Sequence, residues 1–140
     1  AGEGAARGTV EAALGSEDTV FLGAQDARGI DMLHAAADLA VWPAYREAFG
    51  MALLEAQAAG VPVVAGASPG VAQIVAHGET GLLTPAGDHT MLASAVRQLV
   101  EDTSLRERMG VAAMKKAERI HDIAAATRQI DRVLREAVAG

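Results

Sequence analysis

The sequence predicts an α/β fold, a doubly wound parallel sheet with helices on both faces. Two observations carry this. Leu39-Ala40-Val41-Trp42 and Val61-Pro62-Val63-Val64-Ala65 are unbroken apolar runs, and strands without polar alternation are buried on both faces. Segments with apolar residues at helical spacing separate and follow these runs, and strands alternating with helices build parallel sheets.

In chain order, residues 1–4 form a glycine-punctuated turn, and a modest helix is expected over 5–14, where Val10, Ala13 and Leu14 share a face. Thr19-Val20-Phe21-Leu22 reads as a short strand ended by Gly23. A loop over 24–29 leads to a helix near 30–37 carrying Ile30, Leu33, His34 and Ala37 in register. The strand 39–42 is stopped by Pro43, and a helix follows from Gly50 to Ala59, closed by Gly60. After the strand 61–65 come a turn at 66–70, a short helix at 71–76, a turn at 77–81 and a strand at 82–84 ended by Pro85. Asp88 caps a helix over 89–100 that presents Leu92, Ala95, Val96 and Leu99 on one face. Thr103 is the expected cap of a helix reaching residue 119, and a last helix runs over 122–138.

At 140 residues the chain suits one domain with a sizeable core, which must be aliphatic because only 3% of residues are aromatic. The absence of cysteine excludes disulfides, thiol catalysis and zinc-thiolate sites. No apolar run is long enough to span a bilayer, so no transmembrane segment is expected. Residues 1–96 hold three Arg, no Lys and eleven acids, a balance of −8, whereas residues 97–140 hold nine basic and seven acidic residues. That distribution excludes nucleic acid as an expected partner, since the larger part of the chain repels phosphate.

The stretch from Tyr45 to Gly60 holds the candidate chemistry. Its helix is Ala-, Leu- and Met-rich, with Glu55 and Gln57 as its polar residues. A helix apolar nearly all round is normally buried, so Glu55 is expected to be a buried carboxylate in need of a partner. Glu47 lies just ahead of the helix, in a loop leaving a strand. Ligands of open α/β sheets bind beyond the carboxyl ends of the strands, which is where this loop stands. On the residues alone, Glu47 reads equally as an ordinary cap-region acid and Glu55 as a member of a structural ion pair.

With these landmarks in order, the chain resembles the C-terminal, donor-binding half of a GT-B fold retaining glycosyltransferase of the GT4 type. The resemblance rests on the glycine turn Gly2 to Gly4, the segment Val20 to Gly23, and Leu39 to Pro43. It continues through the Glu-x7-Glu pair within Glu47 to Ala56, then Gly60 to Val64 and Gly78 to Leu83. It implies a Rossmann-like domain that lacks its first strands, with an acceptor-binding N-terminal domain also absent. The 140 residues would therefore be inactive alone.

The resemblance further implies a nucleotide-diphospho-sugar as donor substrate, with no other cofactor and no metal. The acceptor would be a sugar, a lipid or another hydroxyl compound, bound through the missing domain. The backbone of Ala48, Phe49, Gly50, Met51 and Ala52 would meet the donor, its N–H groups holding the diphosphate at a helix N-terminus. Glu55 would bind the ribose hydroxyls and Glu47, the catalytic candidate, the transferred sugar. Gly23, Ala24 and Gln25 would meet the base. Arg46 reads as a solvated cation, and His34, His77, His89 and His121 as surface or packing residues. A cytoplasmic location is implied, peripheral at the membrane in the full-length protein.

Two positions depart from the family pattern: Ala44 stands where a Ser is usual, and Gln73 where a Glu is usual in the turn Pro69-Gly70-Val71-Ala72-Gln73. Both departures fit the competing reading, a non-catalytic nucleotide-binding or scaffold module. A receiver-like domain would need clustered strand-end Asp and a strand-end Lys, whereas Lys115 and Lys116 fall in a helix. A glycosidase would need an aromatic-lined groove, and the chain has one Trp and one Tyr.

Overall fold

The computed structural model describes residues 4–14, 18–43, 48–120 and 123–139. The chain divides into two compact units, residues 1–33 and 34–140.

In the first unit, α1 (Arg7–Leu14) carries an Arg7–Glu11 ion pair at 2.7 Å, one turn apart, and leaves Val10 and Leu14 exposed. Residues 19–22 do not form the expected strand. A strand exists only where a neighbour completes its hydrogen-bond ladder, and no partner pairs with this run among the described residues, so Val20 stands 79% exposed. Helix α2 (Ala27–Ala36) crosses the boundary between the units and starts before residue 30, because Asp26 caps it. The Gly29 N–H donates to Asp26 Oδ1 at 2.8 Å.

The second unit holds β1 (Ala40–Trp42), α3 (Met51–Ala58), β2 (Val63–Gly66), α4 (Pro69–Ile74), β3 (Gly81–Thr84), α5 (His89–Glu101), α6 (Thr103–Ile120) and α7 (Ile123–Ala139). The three strands form a parallel sheet in the order β1-β2-β3, with Trp42 opposite Ala65 and Val64 opposite Leu82. Alternate residues of β2 face opposite ways. Val63 and Ala65 join a core with Leu53 and Ala56 of α3 and Val71 and Ile74 of α4. Val64 joins a second core with Leu82, Leu99 of α5 and Met109 of α6. β2 and β3 are therefore helix-covered on both faces, whereas β1, expected to be buried from its unbroken apolar run, is only half-buried at the sheet edge and leaves Val41 43% exposed. Each fully buried Leu, Ile or Val in these layers contributes about 1.5–3 kcal/mol relative to exposure.

Helix starts follow local chemistry. Asp88 Oδ1 accepts from Met91 N–H at 2.9 Å and caps α5 as expected. The cap of α6 is Asp102, whose Oδ1 accepts from Leu105 N–H at 2.8 Å, so Thr103 is the first helical residue rather than the cap. Ser68 caps α4, with Pro69 at the first helical position, which moves that helix two residues ahead of the expected 71. The apolar residues Ile130, Val133, Leu134 and Val138 of α7 are all more than half exposed.

Candidate functional site

The carboxyl ends of the three strands meet a narrow cleft lined by Pro43, Gly66, Thr84 and Pro85. β1 ends here at Trp42, whose indole Nε1 is buried without a hydrogen-bond partner among the described residues. Residues 44–47 follow, and Glu47, the expected catalytic residue, lies outside the described residues together with Ala44, Tyr45 and Arg46.

The description resumes at Ala48, and Gly50 opens α3 in the left-handed region (φ 80°, ψ 54°). A Cβ is costly there, so glycine is required. Gly50 itself offers no side-chain cap, and among the described residues no side-chain cap bond is made at this helix start. Gly50 carbonyl accepts from Leu53 N–H at 2.9 Å and from Leu54 N–H at 3.3 Å, so the amides of Met51 and Ala52 precede the helical ladder. An uncapped helix start at the carboxyl edge of a parallel sheet is a place where an oxyanion is favoured by both dipole and donors.

Glu55 departs from expectation. It is exposed, not buried. Helix α3 buries Leu53, Ala56 and Gln57, a stripe at i, i+3 and i+4, and turns Met51, Glu55 and Ala58 outward. The alanines that make the helix read as apolar all round stand partly on its solvent side, so the carboxylate needs no buried partner. Glu55 and Met51, four residues apart, share the outward face next to the uncapped start.

The buried polar residue of α3 is Gln57, 1% exposed. Its Nε2 donates to Thr80 Oγ1 at 2.9 Å and to Thr80 carbonyl at 3.3 Å, and Thr80 Oγ1 in turn accepts from Ala76 N–H at 2.9 Å. This network ties α3 to the turn before β3. Sequence reasoning passed over Gln57, although a polar residue two positions from Glu55 on the opposite side of the helix was the available signal. In the same turn His77 Nδ1 accepts from Leu83 N–H at 2.9 Å, so this histidine holds the entry to β3.

The structure brings Ala48, Phe49, Gly50, Met51, Ala52 and Glu55 together at the start of α3. Gly23, Ala24 and Gln25 lie in the first unit. There Gly23 (φ 65°) closes a cleft of about 340 Å³ shared with Arg7, Val10 and the 19–22 segment. Gln25 Nε2 folds back onto Leu22 carbonyl at 2.6 Å and so serves its own turn.

The sequence pattern of the family described as glycosyl transferases group 1 matches residues 3–116. The chain belongs to that family. It is 39% identical over 126 residues to a D-inositol 3-phosphate glycosyltransferase of Corynebacterium aurimucosum, a match covering 89% of this chain and 30% of that protein. Among solved structures it superposes on sucrose-phosphate synthase from Thermosynechococcus elongatus with a TM-score of 0.87 and 29% identity, covering 95% of this chain and 33% of that one. Anabaena HepE in complex with UDP-glucose gives a TM-score of 0.81 at 32% identity, covering 93% and 36%. These neighbours are GT-B glycosyltransferases, and the group 1 chain spans roughly a quarter to a third of the length of the relatives it matches. Among the described residues no helix is long and apolar enough to cross a membrane.

Proposed function

We propose that this group 1 chain is the donor-binding part of a retaining glycosyltransferase of the GT4 type, which moves a sugar from a nucleotide-diphospho-sugar to an acceptor hydroxyl. The start of α3 carries the reading. Its left-handed Gly50 stands at the carboxyl edge of β1, and exposed Glu55 lies one turn along. The amides of Phe49, Gly50, Met51 and Ala52 receive the diphosphate, and the Glu55 carboxylate accepts from the ribose hydroxyls. Glu47, eight positions before Glu55, completes the Glu-x7-Glu pair at the transferred sugar.

In a retaining transfer the C–O bond from the sugar to the diphosphate breaks, the acceptor oxygen bonds to the same sugar carbon on the same face, and the acceptor's hydroxyl proton passes to the departing diphosphate oxygen. Negative charge grows on the departing diphosphate while the sugar gains positive character. Preorganised amides stabilise the first, and a carboxylate at Glu47 stabilises the second. The reading requires no metal. UDP-glucose, seen bound to HepE, is the first donor to test.

Residues 1–96 contain three Arg, no Lys and eleven acids, a charge balance that opposes rather than offsets an added diphosphate. The 140 residues alone are accordingly expected to bind donor weakly and to show no turnover. The function is tested in the longest natural chain carrying them, by thermal-shift screening against UDP-, GDP- and ADP-sugars followed by a transfer assay of wild type and Glu47→Ala. A donor-dependent rise in Tm, with turnover lost in Glu47→Ala, supports the reading. Donor binding without turnover in either protein would show a binding module instead.

A further inference from the structure

We propose that Gly70 is a positioning residue for the donor. Lacking a side chain, it lets the first turn of α4 seat the Ala48 and Phe49 backbone, and with it the start of α3, where the amides meet the diphosphate. This rests on the donor-binding reading above.

A Cβ placed on Gly70 would run into the Ala48 carbonyl and come within 2.9 Å of the Phe49 Cα. Both are main-chain atoms and cannot rotate aside. Gly70 does not have a positive φ, so its requirement for glycine is steric and is directed at the site loop.

Helix α4 cannot readily retreat from that contact. Val71 and Ile74 are fully buried in the core beneath it, and Ser68 Oγ accepts from Val71 N–H at 3.4 Å. At the other end, Lys116 Nζ donates to Ile74 carbonyl at 2.6 Å and to Gln73 carbonyl at 3.2 Å. Ala48 and Phe49, by contrast, are exposed. An added methyl group therefore displaces Ala48 and Phe49 rather than α4. Because left-handed Gly50 comes next, a shift of the Phe49 Cα turns the first amides of α3.

The comparison variant is Gly110→Ala. Gly110 of α6 packs against the Gly60 carbonyl, beyond the C-terminal end of α3, where a Cβ would also clash with main chain. In the longest natural chain, calorimetric titration with UDP and UDP-glucose is combined with steady-state kinetics. Gly70→Ala is expected to raise the donor Kd and KM roughly 10- to 100-fold, the scale of a misplacement near 1 Å. Gly110→Ala is expected to lower Tm and leave the donor Kd unchanged. A folded Gly70→Ala with wild-type Kd overturns the proposal.

If Gly70→Ala does not fold, Ser68→Ala replaces it, because it loosens the same helix start without adding an atom. Weakened donor binding in that variant supports the proposal, and wild-type affinity overturns it. Wild type binding no nucleotide-sugar removes the donor reading and this role together; equal binding by wild type and Gly70→Ala removes this role alone.

Discussion

Gln57 donates its side-chain amide to the Thr80 hydroxyl at 2.9 Å, and both residues are buried, at 1% and 0% exposure. The same hydroxyl accepts from Ala76 N–H. Thr80→Val removes the acceptor from two donors at once. It is expected to cost about 1–3 kcal/mol for the polar groups left unsatisfied. Gln57→Leu removes one donor of that network, and the two changes are expected to be non-additive by roughly 0.5–3 kcal/mol. Urea denaturation of both single variants and the double variant measures this. Additive losses would show that α3 and the turn before β3 are not linked through this pair.

Glu55 is exposed on the outward face of α3. Its loss should therefore separate stability from function. Glu55→Ala is expected to change stability by no more than about 0.5 kcal/mol, as surface substitutions do. Donor KM should rise roughly 10-fold or more, the scale of a lost hydrogen bond to a charged group. A large fall in Tm with unchanged donor KM would restore the structural role that a buried carboxylate implied.

Lys116 holds the C-terminal carbonyls of α4, and burial pushes its ammonium below the ordinary lysine value of 10.5. The Glu79 charge opposes that shift, and the Arg119 charge adds to it. The folded state therefore gives up this proton at a lower pH than the unfolded chain does. Below the folded pKa both states hold the proton and the cost of burying the charge is fully present. As pH rises from there to 10.5 the unfolded state binds more proton, so this group adds stability with rising pH. Denaturation of wild type and Lys116→Met between pH 7 and about 10.5 checks the sign. The stability of wild type relative to the variant is expected to increase across the window, and a decrease would contradict it.

Much of this fold is legible in the chain because its signals are local. Unbroken apolar runs at Leu39 to Trp42 and Val61 to Ala65 announce parallel strands, buried for the second and half-buried for the first, and Asp88 announces α5. What the sequence hides is relational. The 19–22 run has strand composition, but pairing depends on a neighbour that composition does not reveal. Ser68-Pro69, read as turn residues, are the cap and first turn of α4.

The candidate site shows the same division. Gly50 and the helix after it stand where the spacing puts them, at the carboxyl edge of β1. Glu55, expected to be buried, turns outward and Gln57 is the buried polar residue, because alanine, a good helix former, is compatible with either side of a helix and blurs its polar face. The clash that makes Gly70 necessary is a contact between segments some twenty residues apart. Spacing within one helix cannot show it.

On the proposed reading, the start of α3 receives the donor diphosphate. Backbone hydrogen exchange of the longest natural chain, with and without saturating UDP-glucose, tests it most directly. Slowed exchange is expected in the peptide covering residues 48–54, centred on Gly50, Met51 and Ala52. UDP-glucose binding that protects other segments and leaves 48–54 unchanged would contradict it.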